Sequence, residues 1–142
     1  MRKNIFVCLL ALVLSFLIAG CGSVSVGTNM PDPDKIVPQR DTLIENLENS
    51  GYTIEELTTV EGSDLAVDRI MAEKGKKFID IVYGLSAEDS SKVFELYCDL
   101  YPDDYYILAQ NGNYVYCVSD KKTFSMAGFT STENVGVQCI DD

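Results

Sequence analysis

The sequence predicts an α+β domain in which a mostly antiparallel sheet of about four to five strands carries two helices on one face. Two segments have apolar residues at helical spacing, and the segments around them are rich in β-branched and aromatic residues. Short turn sequences join neighbouring strands, which indicates hairpins and hence antiparallel pairing. The predicted order is helix, three strands, helix and two strands.

The first helix is predicted over residues 41–50, with Asp41 as its N-cap. Its apolar residues recur at helical spacing: Leu43, Ile44 and Leu47. Gly51 stands where a left-handed residue would end the helix.

Three strands are predicted after this helix. Residues 52–60 are rich in β-branched and aromatic side chains. Residues 64–74 fit either a short helix or a strand, and we choose the strand because Lys74-Gly75-Lys76 suits a hairpin turn. Residues 78–83 alternate between two faces, with Ile79, Ile81 and Tyr83 on one and Phe78, Asp80 and Val82 on the other. We expect Asp80 to be solvated on an open face of the sheet.

The second helix begins at an S-x-x-D capping pattern, Ser86 to Asp89, and ends before Pro102. Its apolar stripe consists of Val93, Leu96, Tyr97 and Leu100. Strands over 105–110 and 113–119 flank Asn111-Gly112, a pair typical of a type I′ hairpin turn. The rest of the chain predicts a short helical turn over 120–127 and an edge strand around Val135.

The first residues have the layout of an export signal. Arg2 and Lys3 form a basic start, and residues 5–18 are almost wholly apolar. This apolar run is shorter than the about 20 residues that a membrane-spanning helix needs. It therefore fits the central region of a signal peptide.

The sequence Ile18-Ala19-Gly20-Cys21 resembles the lipobox of bacterial lipoproteins. The resemblance implies removal of residues 1–20 and attachment of diacylglycerol to Cys21, so that the protein is anchored to the cell membrane on its extracytoplasmic side. An ordinary secretory signal with a chance cysteine is the alternative. The predicted divisions are a signal peptide (1–20), a lipidated Cys21 with a flexible tether (21–38), an α+β domain (39–128) and a tail (129–142). The predicted order of helices and strands is similar to that of small α+β envelope lipoproteins. This resemblance does not indicate a function.

The charge of the chain argues against nucleic acid as a partner. The net charge is −11, and because residues 1–20 hold two basic residues and no acid, the remainder carries −13 (9 basic minus 22 acidic). Binding to phosphates needs a clustered basic surface. The same composition argues against docking on anionic lipid through a polybasic patch. It indicates either a solvated exterior or a cationic partner.

Several kinds of catalytic and metal chemistry are excluded by composition. The chain has no histidine, which removes the most common general base and transition-metal ligand. After Cys21 only Cys98, Cys117 and Cys139 remain, with no C-x-x-C pair. Among the carboxylates, Asp80, Asp103 and Asp104 have no spacing that fixes a catalytic pair. We therefore predict no catalytic residues, no metal and no cofactor.

Cysteine and tyrosine supply the remaining candidates. Cys98 and Cys117 would form a disulfide if the second helix packs on the last hairpin; otherwise they are small buried side chains. Four tyrosines are candidates for a recognition surface on the open sheet face; the alternative is that tyrosine simply favours strands and packs there. They are Tyr105, Tyr106, Tyr114 and Tyr116. We thus expect a non-enzymatic module that binds an envelope protein or peptide. The alternatives are a small-ligand-binding accessory lipoprotein and a carboxylate-dependent hydrolase.

Overall fold

One antiparallel sheet runs through the molecule in the computed structural model, which describes residues 24–26, 32–102, 105–130 and 137–139. Its strands are β1 Val24–Val26, β2 Thr53–Leu57, β3 Asp68–Lys74, β4 Lys77–Tyr83, β5 Ile107–Asn111, β6 Tyr114–Val118 and β7 Val137–Cys139. The helices among these residues are α1 Pro33–Ile36, α2 Arg40–Asn49, α3 Ala87–Leu100 and α4 Lys121–Ala127. The predicted signal peptide, Cys21, Asp103, Asp104 and Val135 lie outside the described residues.

The strands are arranged in the order β1-β7-β5-β6-β4-β3-β2, and every neighbouring pair is antiparallel. The predicted α+β class with an antiparallel sheet is therefore confirmed. The five longer strands β2 to β6 form the body of the sheet, and the short strands β7 and β1 extend it beyond β5.

Local signals explain most element ends. The Ser86 hydroxyl accepts a hydrogen bond from the Asp89 amide at 3.0 Å and caps α3, as the capping pattern predicts. Gly51 follows α2 with φ +79°, and Gly75 in the β3–β4 turn has φ +64°. That turn makes residues 68–74 a strand, which confirms our choice for the ambiguous segment. Gln39 occupies the N-cap position of α2 without a side-chain capping hydrogen bond, and Asp41 lies in the first turn, so the prediction of Asp41 as the cap is wrong.

The last hairpin turns one residue later than its Asn-Gly pair predicts. Asn111 is the final residue of β5 and pairs with Tyr114. The two turn residues are Gly112, with φ +58°, and Asn113. Because Asn111 is completely buried, it belongs to the sheet and not to the loop.

Helices cover both faces of the sheet, so the prediction of two helices on one face is wrong. Helices α2 and α4 pack with Ile70, Ile81 and Tyr116 in one buried cluster. Helix α3 packs on the opposite face, where its Val93 meets Val82, Val115 and Cys117 in a second cluster. The physical reason is that β4 and β6 are apolar on both faces, so each face needs a cover.

The folded domain begins earlier and ends later than the sequence predicts. Ile36 and Val37 are buried in the core, so the predicted tether over 21–38 is wrong for its last part, and β1 lies within it. Phe129 is buried too, and the Thr130 amide donates to the Ile36 carbonyl at 3.3 Å. The tail contributes β7, which lies between β5 and β1 and is therefore not an edge strand.

Candidate functional site

A buried carboxylate lies at the centre of the face covered by α3. Asp80 stands in the middle of β4 and is completely buried. Arg69 of β3 donates to both of its oxygens, from Nε at 2.9 Å and from Nη2 at 2.7 Å. Two hydroxyls of the α3 region complete the set: Tyr97 donates to Oδ1 at 2.6 Å and Tyr101 to Oδ2 at 2.5 Å. We call these four residues the Asp80 network.

Arg69 extends this network toward the surface. Its side chain is only 3% exposed, and its Nη1 donates to the Thr59 carbonyl at 3.1 Å and to the Glu61 carboxylate at 2.9 Å. The guanidinium also lies 5.8 Å from the centroid of the Tyr97 ring. The hydrogen bonds that Arg69 donates to Asp80 raise the pKa of Arg69, so the buried charge is retained.

The Asp80 network is saturated, so this carboxylate has no free lone pair for a further hydrogen-bond donor. A carboxylate has about four lone-pair sites, and each of these sites on Asp80 accepts a hydrogen bond. Burial, followed by the charge of Asp80, raises the pKa of both Tyr97 and Tyr101, so both hydroxyls stay protonated as donors. The prediction that Asp80 is solvated is wrong because α3 covers this face of β4.

The network fixes two surface segments to the sheet. Arg69 binds the loop over residues 58–67, in which Val60 is buried against the α3 side of the sheet. The Val67 amide donates to the Thr58 carbonyl at 3.0 Å and closes this loop. The two tyrosines bind the last turns of α3. One buried carboxylate thus positions both the loop and the helix.

A groove lies between these two segments, and we call it the acidic groove. It is open to solvent, has a volume of about 400 Å³, and is lined by Gly62, Ser63, Asp64, Lys92, Glu95, Leu96 and Asp99. Its three carboxylates face a single lysine, and Lys92 is already bonded to Glu88 at 2.7 Å. A Cβ atom on Gly62 would lie 3.2 Å from Leu96, so the loop and helix approach closely here. In the described part of the chain, no three Cys, Asp or Glu residues are placed to hold a metal ion.

The predicted tyrosine surface is not formed. Tyr116 is completely buried, with its ring centroid 4.8 Å from that of Phe129. Tyr106 and Tyr114 pack on the same side as Tyr116, whereas Tyr105 packs on the α3 side. The prediction is wrong because it assumed one uncovered face, and helices cover both.

No disulfide joins Cys98 to Cys117, so of the two arrangements that the sequence left open the structure has the one without a bridge. Cys117 is completely buried beside Asp80, its partner in the β4–β6 register. Burial raises the pKa of the Cys117 thiol, which keeps it protonated and unreactive. The side chain of Cys139 lies outside the described residues.

Two buried polar groups on the opposite face lie near each other and make no well-formed hydrogen bond. They are the side-chain amide of Asn111 and the hydroxyl of Tyr116, and both residues are completely buried. Sequence inspection gave no signal for them, because their burial depends on the cover supplied by Phe129 and by the segment around Ile36.

Comparisons with protein-family models, with characterised proteins and with solved structures give no match. Among the residues that the structure describes, no helix has the length and hydrophobicity to cross a bilayer.

Proposed function

We propose that this protein is a lipid-anchored, extracytoplasmic, non-catalytic module that binds a cationic segment of an envelope protein or peptide in the acidic groove. The observation that carries the proposal is the groove itself. It offers three carboxylates to a partner, and its one lysine, Lys92, is already paired with Glu88. Its location outside the cytoplasm rests on the lipobox-like sequence that ends at Cys21.

The acidic groove is suited to binding because its two sides are fixed in advance. Asp80 holds the loop through Arg69 and the helix through Tyr97 and Tyr101. A partner that binds here does not have to order either segment, which removes a cost of association. The Asp80 network therefore acts as a support for the binding surface and takes no part in chemistry.

The chemistry of the groove selects a basic segment with an apolar contact. Asp64, Glu95 and Asp99 offer carboxylates to lysine or arginine side chains. Leu96 lines the groove, and Leu100, one turn further along α3, is 39% exposed. Rim charges of this kind steer a partner and set its specificity more than its affinity.

The two alternatives have weaker support. A small-ligand protein needs an enclosed cavity, and the acidic groove is open, as are the groove beside Lys77 and the one beside Tyr114. A carboxylate-dependent hydrolase needs an accessible acid, and Asp80 is both buried and saturated.

Binding of a fluorescent decalysine peptide to the full-length protein in detergent tests the groove. The variant Glu95→Lys/Asp99→Lys reverses two charges of the groove, and Glu45→Lys/Glu48→Lys makes the same charge change on the exposed side of α2. We expect the α3 variant to lose about tenfold or more in affinity and the α2 variant to lose much less. Equal losses in the two variants would show that the peptide senses only net charge.

A further inference from the structure

Lysines are concentrated at one end of this acidic domain. From residue 21 onward the chain has nine basic residues (11 minus Arg2 and Lys3), and five of them form two short runs. The runs are Lys74, Lys76 and Lys77 at the β3–β4 turn, and Lys121 and Lys122 at the start of α4. We call these five residues the lysine end.

The two runs are neighbours in space. The Ser119 amide donates to the Phe78 carbonyl at 3.0 Å, and the Phe78 amide donates to the Ser119 hydroxyl at 2.8 Å. An open groove of about 560 Å³ lies between them, lined by Lys76, Lys77, Phe78, Ser119 and Asp120. The β3–β4 turn and the start of α4 therefore form one continuous surface.

Lys74 of the lysine end is already engaged, because its Nζ donates to the Ser50 carbonyl at 2.7 Å and lies 5.9 Å from the centroid of the Tyr52 ring. The side chains of Lys76, Lys121 and Lys122 are exposed and available to a partner. In the described part of the chain, Arg40, Arg69 and Lys92 form salt bridges, whereas none of the five lysines does. Of the nearby acids, Glu73 is exposed and Asp120 is engaged as the cap of α4, accepting from the Thr123 amide and hydroxyl.

The first strand begins at the same end of the sheet. Val24 pairs with Cys139, which pairs with Leu108 near the start of β5. Strand β5 starts at Ile107, which pairs with Val118 of β6, and Val118 pairs with Ile79 of β4. Ile79 follows the β3–β4 turn closely, so β5 starts at the same end of the sheet as that turn. Strand β1 therefore begins at the same end of the sheet as the lysine end and runs away from it.

Cys21 precedes Val24 by only three residues. Three extended residues span at most about 11 Å. Acylation of Cys21 would thus place the membrane surface close to this end of the domain, within reach of lysine side chains. Electrostatic attraction to anionic headgroups extends over a Debye length of about 8 Å at physiological salt.

We propose that the lysine end faces and contacts an anionic lipid surface, which orients the domain on the membrane. The inference rests on the proposed acylation of Cys21. It differs from the expectation from composition, because an overall acidic chain can still present a basic end. The β5–β6 turn at Gly112 lies at the opposite end of the sheet and points away from the membrane.

Lysine acetylation of the full-length lipoprotein, read by mass spectrometry, tests this orientation. The protein is inserted from outside into phosphatidylcholine vesicles with or without phosphatidylglycerol. We expect about threefold or more protection of Lys76, Lys121 and Lys122 in the anionic vesicles. Lys35 and Lys92 serve as internal controls, and we expect their labelling to be unchanged. Lys35 precedes Ile36 at the end of the domain opposite the lysine end. Equal labelling of Lys76, Lys121 and Lys122 in the two kinds of vesicle would overturn the inference.

A charge-reversal variant distinguishes electrostatic contact of the lysine end with the lipid surface from mere steric shielding by the vesicle. Lys76→Glu/Lys121→Glu/Lys122→Glu should abolish the protection of the remaining Lys77, and Lys35→Glu/Lys92→Glu should leave it intact. The mass of the N-terminal peptide is read in the same samples. A diacylated Cys21 with unprotected lysines refutes the orientation alone, whereas a Cys21 without acyl chains refutes the orientation and the proposed anchor together.

Discussion

Arg69 on β3 and Asp80 on β4 form a two-pronged ion pair inside the domain, with their atoms 2.7 and 2.9 Å apart and side chains that are 3% and 0% exposed. The pair lies beneath α3, and Arg69 alone connects it to the loop over residues 58–67. Its integrity therefore governs both the stability of the domain and the shape of the acidic groove.

Removing Arg69 should be far more costly than removing an exposed arginine. Arg69→Met leaves the Asp80 carboxylate buried without its cation, which costs about 3–5 kcal/mol of unfolding free energy. Arg40→Met is the matched control, because Arg40 is bound to Glu56 and Asp68 at the surface and should lose at most about 1 kcal/mol. Urea unfolding measures both losses. Similar losses in the two variants would contradict the structural role of the buried pair.

Two buried tyrosines should respond in opposite ways to loss of their hydroxyls. Tyr97→Phe removes a donor to the Asp80 carboxylate and should cost about 1.5–3 kcal/mol. Tyr116→Phe removes a buried hydroxyl that makes no well-formed hydrogen bond and lies near the Asn111 side chain, so its stability should be unchanged or slightly higher. Thermal or urea unfolding checks the pair. A large loss for Tyr116→Phe would show that its hydroxyl has a partner after all.

Stability should fall in alkaline solution. Burial raises the pKa of Tyr97 well above the ordinary value of 10.0, and Tyr101 shifts in the same direction. Below pH 10 the contribution of each group is fully present, and it is lost as pH rises toward the folded-state pKa because only the unfolded chain ionises. Each such tyrosine adds about 1.4 kcal/mol per pH unit to the decline. Tyr97→Phe should therefore flatten the decline by that amount, and an unchanged slope would contradict the shift.

Two glycines test the contact between the N-terminal segment and the last hairpin. Gly84 has φ +70° with no atom near an added Cβ, so Gly84→Ala should cost only the backbone strain of about 1–2 kcal/mol. Gly112 has φ +58°, and its added Cβ would lie 2.7 Å from Pro33 Cγ. Gly112→Ala should therefore cost clearly more in unfolding free energy. Equal costs would indicate that Pro33 does not pack against this turn.

The secondary structure was predictable where local signals are strong. Ser86 caps α3 through its own hydroxyl, and Gly51 and Gly75 end their elements at positive φ. These features depend on a few neighbouring residues, which the sequence displays directly. The strand order of the central hairpins follows from the same turns.

The burial of the site was not predictable, because it depends on which face each helix covers. Asp80 shares its face of β4 with apolar residues. Side chains of a strand alternate between two faces whether or not a helix covers one of them, so the sequence pattern does not say whether α3 covers the face of Asp80. The same uncertainty produced the wrong prediction of exposure for Tyr116. The partner of Asp80 is Arg69, eleven residues away, and only the register of β3 against β4 brings them together.

The mass of the native N-terminal peptide, taken from membranes of cells that make this protein, tests the proposed lipid anchor at Cys21. We predict a chain that starts at Cys21 and carries a diacylglyceryl group on the cysteine sulfur. A chain that still begins at Met1, or one whose Cys21 thiol is unmodified, would contradict the proposed anchor and the orientation derived from it.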